Sequence, residues 1–314
     1  MLTSAQSEVT CSHCPVCRGD LWEFIREGGD LCRSDDATTY TLARCLSCSH
    51  IMQVPPPDGG QLANAYSANY APYRSAWKKG GWSLWRILRN LTTWRRVRRL
   101  KQYGKGNKLL EIGSGAGDFL YAAQRSGWQV HGIEYCKNLA EEIRLELGFD
   151  VRAGELQPGL WELGQFDAIV CWSVLEHVRD PLLTLQTASL YLKPGGAIFM
   201  QIPTRDGVLL GKRFGQFWAL LDLPRHLNFF DEASLSRLCD RAGVQLTLYK
   251  TPLLDMFWCY LASSANWANQ SSGLRRLSRL AVLTVAVIVS SPCLAILAWR
   301  GHGTEAFAMA VKKQ

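Results

Sequence analysis

"KLLEIGSGAGDFLYAAQRSG", residues 108–127, reads as a strand, a glycine turn and a helix. The glycines fall at 113, 115 and 117, between strand and helix, the context in which such a turn holds a ligand. A dinucleotide fingerprint needs its third glycine at position 118, where this chain has Asp118, and this counts against NAD. Glu111 precedes the turn; a carboxylate there repels phosphate and suits an ammonium group. Glu134 closes the next strand and is placed to accept hydrogen bonds from ribose hydroxyls. Together these residues describe a pocket for a nucleoside with a cationic, phosphate-free tail.

Outward from the turn, strands and helices alternate. "WQVHGIEY" is a strand followed by a helix through Leu147, and "FDVRAGEL" a short strand. "FDAIVCWSVLEHV" is a buried strand running into a loop, and "LLTLQTASLYLKPGG" a helix closed by a Pro-Gly-Gly turn. "AIFMQIP" is the next strand; "FDEASLSRLCDRAGV" is a helix that Asp231 can cap, and the strands "QLTLYK" and "EAFAMAVKK" follow. Alternation of this kind predicts a mostly parallel sheet covered by helices on both faces.

"LLEIGSGAGDFL", the acid of "HGIEY", "FDAIVCWSVLEHVRDP" and "LKPGGAIFMQIP" resemble the successive motifs of class I S-adenosylmethionine-dependent methyltransferases. The resemblance covers residues 105–250 and the final strand. It implies a Rossmann-like α/β fold with a seven-stranded sheet in the order 3-2-1-4-5-7-6, strand 7 antiparallel between 5 and 6. It also implies S-adenosylmethionine as cofactor. Carried over by position, Gly113, Gly115 and Gly117 let the backbone approach the methionine moiety, and Glu134 holds the ribose. The turn of Gly154, Glu155 and Leu156 flanks the adenine, while Asp167, Cys171 and Trp172 line the pocket beside strand 4. Glu155 also reads as a solvated loop acid.

Methyl transfer to a hydroxyl needs a base, because the sulfonium already carries the activation. His177 in "LEHV" and His226 in "PRHL" are the candidates, both expected in loops at the carboxyl edge of the sheet. His177 alternatively caps its loop. Arg225 would bind an acidic substrate or make a structural ion pair. Ser173 stands where some related enzymes carry a metal-binding acid, which weakens a metal reading. "CWSVLEH" lacks the acid or Asn followed by Pro-Pro and an aromatic found in base N-methyltransferases, which argues against a nucleic-acid substrate.

The first 50 residues hold "CPVC" (Cys14, Cys17) and "CLSC" (Cys45, Cys48), 27 residues apart. Two such turns present four sulfurs to one tetrahedral ion, and a structural zinc is expected. Cys11, His13, Cys32 and His50 are spare ligands. The segment through "YSANY" resembles the zinc-ribbon extension of some saccharide and natural-product methyltransferases, and "FWALLDLPRHLNFFD" resembles a segment of the same subgroup. The implied acceptor is a small molecule, a saccharide or a lipid-linked glycan intermediate. The expected organisation is a zinc-ribbon-like domain at 1–54, a linker and basic helix at 55–104, the core at 105–252, an apolar insertion at 253–303 and a final strand at 304–314.

Charge is uneven. Twelve Lys or Arg and no acid lie between Gly59 and Leu110, and the other 23 basic residues are outnumbered by 27 acidic ones. "WSLWRILRNLTTWRRVRRLKQY" places Leu84, Ile87, Leu88, Leu91, Trp94 and Val97 at helical spacing among arginines. Such a helix can lie on an anionic membrane, hold nucleic-acid phosphates, or set a solvated arginine face over a packed core. "LAVLTVAVIVSSPCLAILAW", 280–299, is long enough to cross a bilayer, but a single crossing would separate the last two strands. With a break at Ser290-Ser291-Pro292 it reads as a monotopic hairpin, or as a hydrophobic lid or oligomer contact. The amino-terminal residues show no secretory pattern, so the expected location is the cytoplasm, at the inner face of the membrane. Two other functions stay open: a non-catalytic scaffold that docks through the ribbon and basic helix, and an RNA methyltransferase.

Overall fold

The computed structural model describes residues 13–30, 38–66, 84–211, 218–268, 292 and 295–313. Cys11, Cys32, Trp82, the run "GLRRLSRL" and most of 280–299 lie outside the described residues. Three strands open the chain: β1 (Trp22–Gly29), β2 (Thr39–Cys45) and β3 (Ile51–Gln53). Helices α1 (Gly59–Ala65) and α2 (Leu84–Tyr103) follow. The core then alternates β4 (Lys108–Ile112), α3 (Asp118–Gln124), β5 (Gln129–Glu134), α4 (Lys137–Leu147), β6 (Asp150–Ala153), β7 (Phe166–Trp172), α5 (Pro181–Tyr191) and β8 (Leu192–Pro203). It finishes with α6 (Arg205–Leu210), β9 (Asn228–Phe229), α7 (Glu232–Arg241), β10 (Val244–Lys250), α8 (Leu253–Ala268) and β11 (Glu305–Lys312).

The large sheet runs β6-β5-β4-β7-β8-β11-β10, the order that the resemblance implies. Only β11 is antiparallel to its neighbours, β8 and β10. Alternate residues feed the two faces. Leu110, Ile112, Ile169 and Cys171 enter one apolar cluster, while Leu109, Val170, Trp172 and Phe199 enter the other with Phe119 and Leu120 of α3. Full burial of each large side chain stabilises the fold by about 1.5–3 kcal/mol. Local chemistry sets the helix starts. Asp180 caps α5 by accepting from Leu183 N at 2.9 Å, with Pro181 in the first turn. Asp231 caps α7 in a capping box with Ser234, as its position in the sequence suggests.

Three expectations change. The presumed linker contains α1, because Asp58 Oδ1 accepts from Gln61 N while Gln61 Oε1 accepts from Asp58 N, both at 2.8 Å. The amino-terminal strands do not form a sheet by themselves: the order is β1-β2-β3-β9, with the fourth strand donated by the core just after His226. On α2 the two faces depart from the simple pattern. Val97 and Leu100 are buried, but Ile87, Leu91 and Trp94 are exposed. Arg89, Arg95, Arg96 and Arg99 turn onto the protein, where Asp118 pairs with Arg89 and Asp255 with Arg95 and Arg99. Arg96 and Arg99 also lie over the rings of Trp172 and Phe307. Long arginine stems pack as apolar matter, and core carboxylates draw their heads inward. Among the described residues, no helix is long and apolar enough to cross a membrane.

Candidate functional site

A cavity of about 1130 Å³ opens at the carboxyl ends of β4, β5 and β7, beneath α2. Gly113, Gly115 and Gly117 all take positive φ, at 72°, 53° and 79°. A Cβ on Gly113 would stand 2.5 Å from Val174 Cγ2, so this turn is reserved for glycine by conformation and by space. Glu134 locks the turn from β5: Oε2 accepts from Gly115 N at 2.7 Å and Oε1 from Cys136 N at 2.9 Å. Burial pushes the Glu134 carboxyl above its ordinary range, and these backbone donors oppose the shift. Glu111, Tyr135, Gly154, Glu155, Leu156 and Trp172 complete this end. Glu111 is buried and its carboxyl lies well above the usual range. Its Oε2 and the Trp172 Nε1 are buried without hydrogen-bond partners among the described residues. A cradle without side chains, an unpaired carboxylate oxygen and an unpaired indole N–H fit a ligand that carries both an ammonium and acceptor atoms.

The other end holds the histidines. Ser173 turns the chain out of β7 at φ 57°, which brings His177 to the rim. His226 arrives from the loop before β9, and the two rings stand edge to face with centroids 4.7 Å apart. His177 Nδ1 lies 3.0 Å from Arg225 O and His226 Nδ1 2.7 Å from Leu220 O. A carbonyl only accepts, so each Nδ1 carries the proton and each Nε2 keeps the lone pair. Burial pulls His177 down to about 3, with His226 adding to the effect. Burial also lowers His226, but there the Asp222 carboxylate, 3.8 Å from Nε2, opposes it. Glu176, His177 and His226 offer ligand atoms within 4.8 Å of one another. With both Nδ1 atoms engaged, each Nε2 keeps a lone pair that can take a proton or a metal ion, and Ser173 stands in place of an upstream acid.

Several sequence expectations are displaced. Asp167 is the second residue of β7, five residues before Trp172, about 16 Å along the strand at ~3.3 Å per residue. There it accepts from Asn107 N and Lys108 N and pairs with Lys193, so it belongs to the opposite edge of the sheet. Cys171 neighbours Trp172 and therefore points to the other face, into the core. Arg225 is fully buried: its guanidinium forks onto Asp30 at 2.8 and 3.0 Å and reaches Asp222 at 2.7 Å, so it makes the structural ion pair and no substrate contact. Glu155 lines the cavity as an exposed loop acid. The sequence reading overlooked Tyr66, whose hydroxyl lies 3.2 Å from His177 Nδ1, and Arg96, which faces Glu111 and Trp172. Tyr66 sits in the quoted "YSANY" without any local signal for its partner.

The amino-terminal cysteines converge. The Sγ atoms of Cys14, Cys17, Cys45 and Cys48 lie within 4.8 Å of one another, with Cys14–Cys48 and Cys17–Cys45 at 3.5 Å. A tetrahedral zinc with bonds of about 2.3 Å sets its sulfurs roughly 3.8 Å apart, so the thiolates fit that ion. Arg18 and Ser49, each one residue past a C-x2-C pair, share a left-handed conformation at φ 64° and 62°. His50 is no ligand: it is buried against Phe230, with Nε2 3.2 Å from Asn228 Oδ1.

A family model described as a methyltransferase domain matches residues 84–249, more than half of the chain. The chain belongs to that methyltransferase family. Among curated relatives it is similar to a ubiquinone biosynthesis O-methyltransferase of Chromobacterium violaceum, 32% identical over 152 residues, covering 45% of this chain and 66% of that one. That share falls just short of two thirds of the relative's length. A second enzyme of the same description, from Haemophilus ducreyi, is 27% identical over 181 residues, covering 52% and 77%. Among solved structures, Phospholethanolamine N-methyltransferase 2 of Haemonchus contortus aligns over 93% of this chain and 69% of its own, with a TM-score of 0.51 and 14% identity, a likeness of fold.

Proposed function

We propose that this protein transfers a methyl group from S-adenosylmethionine to a hydroxyl of a small-molecule acceptor. The observation that carries this reading is the single cavity that joins the glycine turn to the histidine pair. Glu111 would take the methionine ammonium, Gly113 and Gly115 would leave room for the chain behind it, and Glu134 would hold the ribose. Gly117 lies outside the cavity lining, where a Cβ would stand 3.0 Å from Ile143 of α4, so its part is to let the helix pack. Leu156 and Glu155 would flank the adenine, and Trp172 would close the wall. S-adenosylmethionine supplies a sulfonium methyl ready for in-line displacement. The protein's part is alignment and proton removal. His226 is the stronger base of the pair, because burial and the neighbouring His226 ring together pull His177 down to about 3 against the opposing Asp222 carboxylate, whereas at His226 Asp222 is the first group set against burial. For transfer to a hydroxyl, His226 Nε2 would accept the proton that the acceptor oxygen gives up. The O-methyltransferase description of the relatives supports a hydroxyl acceptor.

For the acceptor we favour a saccharide or a lipid-linked saccharide intermediate at the cytoplasmic face of a membrane. Support for the lipid-linked form comes from exposed Leu91, Trp94, Leu183 and Leu254, which line the cavity and offer an apolar path to it. A structural zinc at the four cysteines completes the reading. The decisive experiment supplies methyl-labelled S-adenosylmethionine to the protein with a cell-extract acceptor pool and identifies the product by mass. Binding of the cofactor without label transfer would leave a scaffold, and label in RNA would redirect the reading. For the zinc, metal analysis of purified protein is expected to give about one zinc per chain; its absence would refute the site.

A further inference from the structure

The amino-terminal module and the histidine pair are joined by contacts that a separate docking domain would not make. Asp30 directly follows β1, and Arg225 forms a two-pronged fork onto it, Nη2 to Oδ1 at 2.8 Å and Nη1 to Oδ2 at 3.0 Å. The same guanidinium donates to Ala65 O at 3.0 Å, next to Tyr66, and to Asp222 Oδ1, whose other oxygen faces His226. The backbone of Arg225 supplies the carbonyl that accepts from His177. Beyond His226 the strand is held on both sides. Leu227 N and Asn228 N donate to Glu176 O at 2.7 and 3.1 Å, while Gln53 N donates to Leu227 O at 2.9 Å. Asn228 also bridges the two parts, through His50 on one side and Val178 O at 2.9 Å on the other.

We propose that Asp30 and Arg225 are positioning residues: the amino-terminal module sets the orientation of His177 and His226 through this fork, and so forms part of the acceptor machinery. Arg225 suits the task because its planar donors meet a carboxylate in one geometry, which fixes the loop where a lysine would leave it free to rotate. The cofactor end lies outside the network, since Glu111, the glycines and Glu134 come from β4, β5 and their turns. Loss of the fork therefore disturbs the rings and spares cofactor affinity. The inference rests on the methyltransferase reading for what the rings do, and on geometry alone for how they are held.

The test labels histidine nitrogens in the full chain and reads the ring tautomers by NMR, beside titration with S-adenosylhomocysteine. In the unaltered protein, the rings of His177 and His226, assigned by comparison with H177N and H226N, are expected to carry Nδ1–H. In Asp30→Asn, and again in Arg225→Lys, that tautomer should be lost at both rings while affinity for S-adenosylhomocysteine stays within about twofold. Label transfer should fall by roughly 100-fold, the scale that a misplacement of about 1 Å can cost. Asp30→Glu should restore part of both signals. Glu23→Gln, in an exposed ion pair on β1, should change neither. Retention of the Nδ1–H tautomer in both variants would overturn the proposal. So would a loss of cofactor affinity that always accompanies the tautomer change, since the fork would then support the fold in general. Failure of the unaltered protein to bind S-adenosylhomocysteine would instead overturn the methyltransferase reading, whatever the tautomers show.

Discussion

The two ends of the cavity are built in opposite ways. The cofactor end is a local object: Glu111 through Asp118 are consecutive, and Glu134 joins them from the adjacent parallel strand. The histidine end, where we propose the acceptor binds, is assembled from distant pieces, with His177 after β7, His226 before β9, Tyr66 after α1 and Asp30 after β1. Neighbouring residues keep their geometry through the backbone. Remote ones hold theirs only through buried polar contacts, so the histidine end is more sensitive to changes far from the chemistry.

The largest effect is expected at the local end. Gly113→Val places a side chain against Val174 at a backbone conformation that β-branched residues avoid. Isothermal titration should show S-adenosylhomocysteine affinity reduced by more than about 100-fold (roughly 3 kcal/mol); unchanged affinity would show that the turn does not hold the cofactor. Next comes His226→Asn, which should lower kcat by about 10²-fold, the lower end of the usual worth of a general base, and leave cofactor affinity intact. An effect on affinity in place of rate would merge the two ends.

A subtler measure is pH. On the proposed reading His226 would act as neutral imidazole, so its rate contribution would be lost as pH falls through its pKa. Burial holds that pKa below the ordinary value of about 6.5. The acid limb of kcat/KM should therefore lie below pH 6.5, and a limb above it would indicate another base. The smallest effect belongs to Asp167→Asn. It should leave cofactor affinity unchanged while lowering stability in urea by about 1 kcal/mol, through weakened contacts to Asn107, Lys108 and Lys193.

Much of the cofactor end was legible because strand, turn and helix follow from adjacent residues. Two errors there were errors of strand geometry. Cys171 and Trp172 cannot both face one pocket when side chains alternate, and Asp167 lies a strand's length from its supposed partners. The histidines were recognisable as candidates, but Arg225 was ambiguous between substrate and ion pair, and Asp30 carried no signal at all. On α2 the apolar spacing was visible, yet the direction of its arginines depends on Asp118 and Asp255, which no local pattern links to them.

By itself the sequence determined the seven strands of the large sheet with the helices α3, α4, α5 and α7, the three-glycine turn and the two pairs of cysteines, since each depends on backbone preference or spacing within a few residues. Tertiary structure alone decided which carboxylates meet which arginines, that the amino-terminal sheet borrows β9, and that Arg225 faces Asp30. Those outcomes follow from burial. A charged group removed from water must find a partner wherever the fold supplies one, and sequence separation says nothing about where that is.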